Sequence, residues 1–184
     1  VFQKMKGTTE AYVETSIGTS IHIPIKRRRI TTSTGVLKNI GESGNLPSGE
    51  VFVAPIEDET NGTVVFDGSI AGIGLLSEHV KVEIKKGYIK NISGGKEAHL
   101  FEQMLKAVHN EKAFAVAEFG IGTNPKAIIT GDILEDEKVM GTIHIAFGNN
   151  LSMGGKLRVS SHVDGVVTKP DVYFDKLQIM KKGK

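Results

Sequence analysis

The sequence predicts a β-rich α+β fold: a mixed, multi-stranded sheet with one long helix, about residues 96–109, packed on it, as a single domain over residues 1–184. Three observations predict it. Short apolar runs of strand length, rich in Val, Ile and Thr, recur along the chain between clusters of Gly, Asn, Asp and Pro. There are 22 glycines in 184 residues, above the usual ~7%, which suits many tight turns. One stretch alone carries a helical stripe: after Gly94-Gly95, the residues Phe101, Met104, Leu105 and Val108 fall at i, i+3, i+4 and i+7. A chain of this length buries one substantial core.

The elements follow in order. Ala11 to Ser16 and Ser20 to Ile25 read as a hairpin turning at Ile17-Gly18-Thr19. The basic run Lys26-Arg27-Arg28-Arg29 reads as a solvated edge, because no aromatic residues are interleaved with it. The loop GESGNLPSG, residues 41–49, leads into a strand at Glu50 that Pro55 stops. Thr63 to Asp67 is a further strand. His79 to Lys85 alternates, with Val80, Val82 and Ile84 inward, and Gly87 turns the chain back into Tyr88 to Ile92. Phe114 to Phe119 is apolar on both alternating faces, as in a strand covered on both sides. Gly120 to Pro125 reads as a loop; its third glycine is missing, so it is not a dinucleotide fingerprint. Glu135-Asp136-Glu137-Lys138 reads as a solvated face or a short helix. Strands Gly141 to Gly148, Ser160 to Val167, Asp171 to Phe174 and Leu177 to Met180 complete the chain. It opens on Val1 rather than Met, and Val1-Phe2-Gln3-Lys4 reads like the tail of an earlier element, as in a processed or truncated product.

Composition removes several functions. The formal charge of +2 gives no electrostatic case for nucleic acid or an anionic membrane. No apolar stretch approaches the ~20 residues of a membrane span. The absence of cysteine removes disulfides, thiolate nucleophiles and cysteine-based zinc sites, and suits a cytoplasmic location.

What remains is a set of polar groups in apolar strands. Glu118 interrupts an apolar run, where an unpartnered carboxylate is costly. His144 lies opposite Ile143, Ile145 and Phe147 in the alternation, between small neighbours. His162 and Asp164 are two apart and project from one side of a strand. Singly, such residues are ordinarily packed histidines or paired carboxylates. Jointly they point to a shared cation, because several strands break their own hydrophobic rule together. Glu50, from spacing alone, is a strand-end glutamate.

In order, NLPSGEVFVAP, AEFGIGTNP, EDEKVMGTIHIAFGNN and SSHVD resemble the C-terminal half of the thermophilic metal-dependent aminopeptidase family, T and S type, from about Gly18 to about Asp175. The resemblance implies a metal-binding domain whose N-terminal companion is absent here. It implies removal of N-terminal residues from a peptide substrate by two divalent ions, zinc, cobalt or manganese, in a homodimer. By motif it places metal ligands at Glu50 in GEVF, Glu118 in AEFG, His144 in HIAFG, and His162 and Asp164. It puts the family's tyrosine ligand at Leu151, for which Tyr173 is a candidate substitute. Nitrogen and carboxylate donors without sulfur suit those metals, and a pair ~3.5–4 Å apart would activate a shared water. Glu57, Asp58, Glu135 and Glu137 are equal candidates for the proton shuttle. The alternatives are a non-catalytic metal-binding or dimerisation module, or hydrolysis of another amide.

Overall fold

The computed structural model describes residues Val1–Lys184. In chain order its elements are α1 (Phe2–Met5), β1 (Glu10–Glu14), β2 (Ser20–Pro24), β3 (Ile30–Ser33), β4 (Glu50–Val53), β5 (Asn61–Phe66), β6 (Ser69–Ile70), β7 (Gly74–Leu75), β8 (Val80–Lys85), β9 (Tyr88–Ser93), α2 (Lys96–Lys106), β10 (Val116–Gly122), α3 (Ile133–Asp136), β11 (Thr142–Gly148), β12 (His162–Thr168), β13 (Asp171–Phe174) and β14 (Leu177–Met180). The α+β class holds. The strands divide into two seven-stranded sheets, ordered β14-β13-β1-β2-β5-β8-β9 and β3-β4-β10-β11-β12-β6-β7. Neighbouring strands in both are antiparallel.

Alternation decides which face of each strand is buried. In the first sheet Ala11, Val13, Ile21, Ile23, Val80 and Val82 are fully inside, while Lys81 and Lys85 are exposed. In the second, Val53, Phe119, Ile121, Ile143, Ile145 and Phe147 are fully inside. These apolar faces meet in one core of 29 buried residues. Phe66 of β5, Phe101 of α2 and Phe147 of β11 pack as a triad, with ring centroids 5.9–6.4 Å apart. Edge-to-face aromatic geometry of this kind adds to the gain from burial. The triad ties the helix to both sheets.

Three boundaries differ from the sequence reading. The helix stops at Lys106, and His109 takes a left-handed backbone with φ 53°. Glu111–Phe114 is a turn of 3₁₀ helix, so the Glu118 strand starts later and runs on through Gly120-Ile121-Gly122. Ile133–Asp136 is helical, and Asp136, Glu137 and Lys138 are buried rather than solvated. Of the basic run, Arg27 and Arg29 are exposed, whereas Arg28 is half-buried in an ion pair with Glu57. No helix is long and apolar enough to cross a membrane.

Candidate metal centre

The second sheet has a polar face opposite its core face, and pairing register assembles it. Glu118 of β10 lies beside Ala146 of β11, which lies beside Asp164 of β12. One row along, Gly120 faces His144; on the far side of β10, Gly122 pairs with Glu50 of β4. His162 pairs with Gly148. Large ligand-type side chains thus alternate with glycine or alanine on neighbouring strands. The small residues are required by space. A Cβ on Gly120 would sit 1.9 Å from His144 Nε2, and one on Gly122 would sit 2.1 Å from the Val139 carbonyl oxygen. Glycines that resembled a loop in the sequence are strand residues leaving room for an imidazole and for the chain after α3.

All five residues singled out in the sequence meet here. His144 Nε2 is 3.4 Å from Glu118 Oε1 and 3.5 Å from Glu50 Oε2. His162 Nε2 is 3.1 Å from Glu118 Oε2 and 3.4 Å from Asp164 Oδ2. Glu50, Glu118 and Asp164 are buried, and His144 is wholly so. His162 Nδ1 donates a hydrogen bond to the Asn149 carbonyl oxygen at 2.7 Å, which leaves Nε2 as the ring atom aimed at the carboxylates.

One participant escaped the sequence reading, and Glu137, named there only among the shuttle candidates, joins it. Lys138, 0% exposed, places Nζ 2.9 Å from Glu50 Oε1 and pairs with Glu137 as well. Both arrive just beyond α3. Asp132 caps that helix by accepting from the Leu134 N–H, an N-cap signal that was available in the sequence. Buried Asp136 anchors it, accepting from Ser69 Oγ and from the backbone N–H groups of Thr130 and Gly131. Other assignments fall away. Glu57 is committed to Arg28 and to the Lys156 N–H. Leu151 is 45% exposed on a short turn. Tyr173 lies in the other sheet, its hydroxyl donating to Glu14 at 3.2 Å, so it replaces no ligand here.

The electrostatics are those of a site short of cations. Burial alone would depress the His144 pKa, but the bond to Glu118 and the charges of Glu118, Glu137 and Glu50 push it up to about 9. Burial likewise opposes protonation of His162, and Asp164 and Glu118 overcome it. Burial would raise Glu118; its bonds to the two histidines hold it well below the usual carboxylate range. Burial, with Asp164 and Glu50 nearby, raises Glu137 to about 7 against the opposing charges of His144 and Lys138. The carboxylates thus favour protonated imidazoles, and a divalent ion could take over that charge. Three overlapping groups bring ligand atoms within 4.8 Å of one another: Glu50, Glu118 and His144; Glu118, His162 and Asp164; Glu137, His144 and Asp164. Asp164 Oδ1 and His144 Nδ1 are buried without a hydrogen-bond partner. The residues fit a divalent ion.

Beside the cluster is a cavity of about 240 Å³. Glu50, Glu118, Glu137, His162 and Asp164 line it on the polar side with Asn45, and Phe52, Ile133, Leu134 and Met153 on the apolar side.

The family model described as NicX, 2,5-dihydroxypyridine 5,6-dioxygenase, matches residues 2–184. The 2,5-dihydroxypyridine 5,6-dioxygenase of Pseudomonas putida is 27% identical over 193 residues, covering 97% of this chain and 55% of that protein. The solved structure of the dioxygenase from that organism matches with a TM-score of 0.91 at 25% identity, over 99% of this chain and 56% of its own. Wild-type AmpT from Thermus thermophilus matches with a TM-score of 0.76 at 20% identity, over 100% of this chain and 51% of its own. The chain spans about half the length of the curated relative it matches. The aminopeptidase likeness is therefore one of fold. The expected metalloaminopeptidase activity, its hydrolase and protease character and the peptide substrate are overturned by the dioxygenase matches. The alternative of hydrolysing another amide falls with them. The physical reason is that imidazole and carboxylate donors on one scaffold serve hydrolytic and oxidative metals alike.

Proposed function

The chain belongs to the NicX family of 2,5-dihydroxypyridine 5,6-dioxygenases, and from that premise we propose that its buried histidine–carboxylate cluster is the metal centre of a dioxygenase acting on a small dihydroxypyridine. We take residues 1–184 as one metal-binding domain. The observation that carries the reading is the convergence of His144 Nε2 and His162 Nε2 on the two oxygens of Glu118. Two imidazoles and a carboxylate are the donor set of non-haem iron(II) oxygenases. Glu118, His144, His162 and Asp164 would hold the ion, with Glu50 kept beside His144 by its ion pair with Lys138. The four carboxylates carry −4 and the Lys138 ammonium +1, so one divalent ion leaves −1 and two leave +1; we take one ion rather than the two expected from the sequence because the ammonium already stands between Glu50 and Glu137, where a second would lie.

When bound, iron(II) supplies the one-electron chemistry that O₂ needs to react with a closed-shell organic ring. The chain's own residues do the rest. The Asn149 carbonyl fixes the His162 ring through Nδ1. Phe52, Ile133, Leu134 and Met153 offer a planar ring an apolar seat, and the cavity has room for one such ring. The test is anaerobic loading with iron(II), addition of 2,5-dihydroxypyridine and then O₂, following O₂ uptake and loss of ring absorbance. Equimolar consumption of O₂ and substrate is expected, and its loss in His162→Ala. A metal-loaded protein that consumes neither refutes the reading.

A further inference from the structure

We propose that Lys138 is the resident second cation of this centre: it restricts the native site to one divalent ion, and Glu50 and Glu137 form a latent second metal subsite that its removal opens. The inference rests on the metal-centre reading above and extends it to the number of ions held.

A lysine that is 0% exposed is rare. This one is held by two carboxylates, with Nζ 2.9 Å from Glu50 Oε1 and in direct contact with Glu137. The same carboxylates also face the imidazoles. Glu50 Oε2 is 3.5 Å from His144 Nε2, and Glu137 shares a ligand-sized cluster with His144 and Asp164. Two of the ligand-sized groups, Glu50 with Glu118 and His144, and Glu137 with His144 and Asp164, meet at His144. The ammonium holds one carboxylate of each and leaves the third group, Glu118, His162 and Asp164, untouched. No ion pair joins it to Glu118 or Asp164, and the buried Asp164 Oδ1 has no hydrogen-bond partner. Unused coordinating capacity thus remains in the set that the ammonium leaves free. An ammonium and a divalent ion on the same two carboxylates would repel at close range in a buried site, where little water screens them. Removing the ammonium would leave Glu50 and Glu137 as two buried carboxylates without a cation, a costly arrangement that a second metal ion relieves.

The experiment loads the wild-type protein and Lys138→Met with manganese(II). Metal per chain is measured after desalting, and electron paramagnetic resonance reports magnetic coupling between neighbouring ions. The wild type is expected to hold one ion with an uncoupled spectrum, and Lys138→Met two ions with a coupled one. A folded Lys138→Met that still holds one ion overturns the inference and leaves the metal centre standing, as does a wild type that holds two. A wild type that holds none overturns both. Should Lys138→Met fail to fold, Glu137→Gln decides, because it keeps the ammonium. One ion at an affinity within about threefold of wild type is expected; a loss beyond the ~10–100-fold typical of a disturbed metal shell overturns the inference.

Discussion

Gly120 is the smallest residue at the centre and the one with least freedom to change. A Cβ there would overlap His144 Nε2 at 1.9 Å, and the imidazole, wholly buried, has nowhere to retreat. Gly120→Ala should leave the fold recognisable by circular dichroism and lower metal affinity by ~10–100-fold, as other disturbances of ligand orientation do. Calorimetric titration with iron(II) or cobalt(II) checks it, and unchanged affinity would mean that His144 is not a ligand. The same histidine predicts a pH dependence. Its folded pKa of about 9 lies above the ordinary 6.5, so its protonated contacts stabilise the metal-free protein fully below the unfolded value. That stability is lost as pH rises through the folded value. In chelator, stability, read as the melting temperature, should therefore fall as pH rises from 6.5 to 9, with a His144 contribution on the order of 3 kcal/mol. The metal-loaded protein should show no such fall, because the ion replaces the imidazole proton. Thermal unfolding across that range, with and without metal, separates the two.

Elements were legible where period alone decides them. Ile143, Ile145 and Phe147 against His144 gave the two faces of β11 correctly, because alternation in a strand needs no tertiary information. The helix stripe was legible through Phe101 and Leu105, both buried. β10 was cut short because Gly120 and Gly122 resemble turn residues, and their reason lies on other elements, in His144 and Val139. The segment after α3 was misread for a related reason: its charges neutralise one another only once β4 brings Glu50 to Lys138. Asp136 tests whether α3 truly delivers that pair. It accepts from Ser69 Oγ and two backbone N–H groups while wholly buried. Asp136→Ala should cost roughly 2–4 kcal/mol, since several donors lose a charged acceptor, and should weaken metal binding although Asp136 is not placed among the ligands. Urea unfolding of the metal-free protein with a parallel metal titration checks both. A loss of stability with unaltered affinity would show that Glu137 and Lys138 are held by other means.

At the scale of the molecule, fold class was legible, while the division into two sheets was not. Strand order is set by long-range pairings such as β12 with β6 and β1 with β13, which local pattern does not encode. The reaction was not legible either, because the donors alone do not distinguish hydrolysis from oxygen chemistry. What the architecture does provide is a rigid base for the centre, and the aromatic triad allows a test of how that rigidity is shared. Phe101 and Phe147 are both buried in the triad, with centroids 5.9 Å apart. Truncating either to alanine should cost about 3–5 kcal/mol. Their backbones differ in what else they carry. Phe101 sits on α2, which supplies no ligand, whereas Phe147 sits on β11 between Ala146 and Gly148, the residues paired with Glu118 and His162. Relaxation around the Phe147 cavity should therefore shift the register row that aligns the ligands, while relaxation around Phe101 should be absorbed by the helix. Phe101→Ala is expected to keep metal affinity within about threefold, and Phe147→Ala to lose roughly tenfold or more. Urea unfolding matches the two for stability, and metal titration then compares them. Equal losses of affinity would mean that the core transmits strain as one body and that β11 has no privileged coupling to the centre.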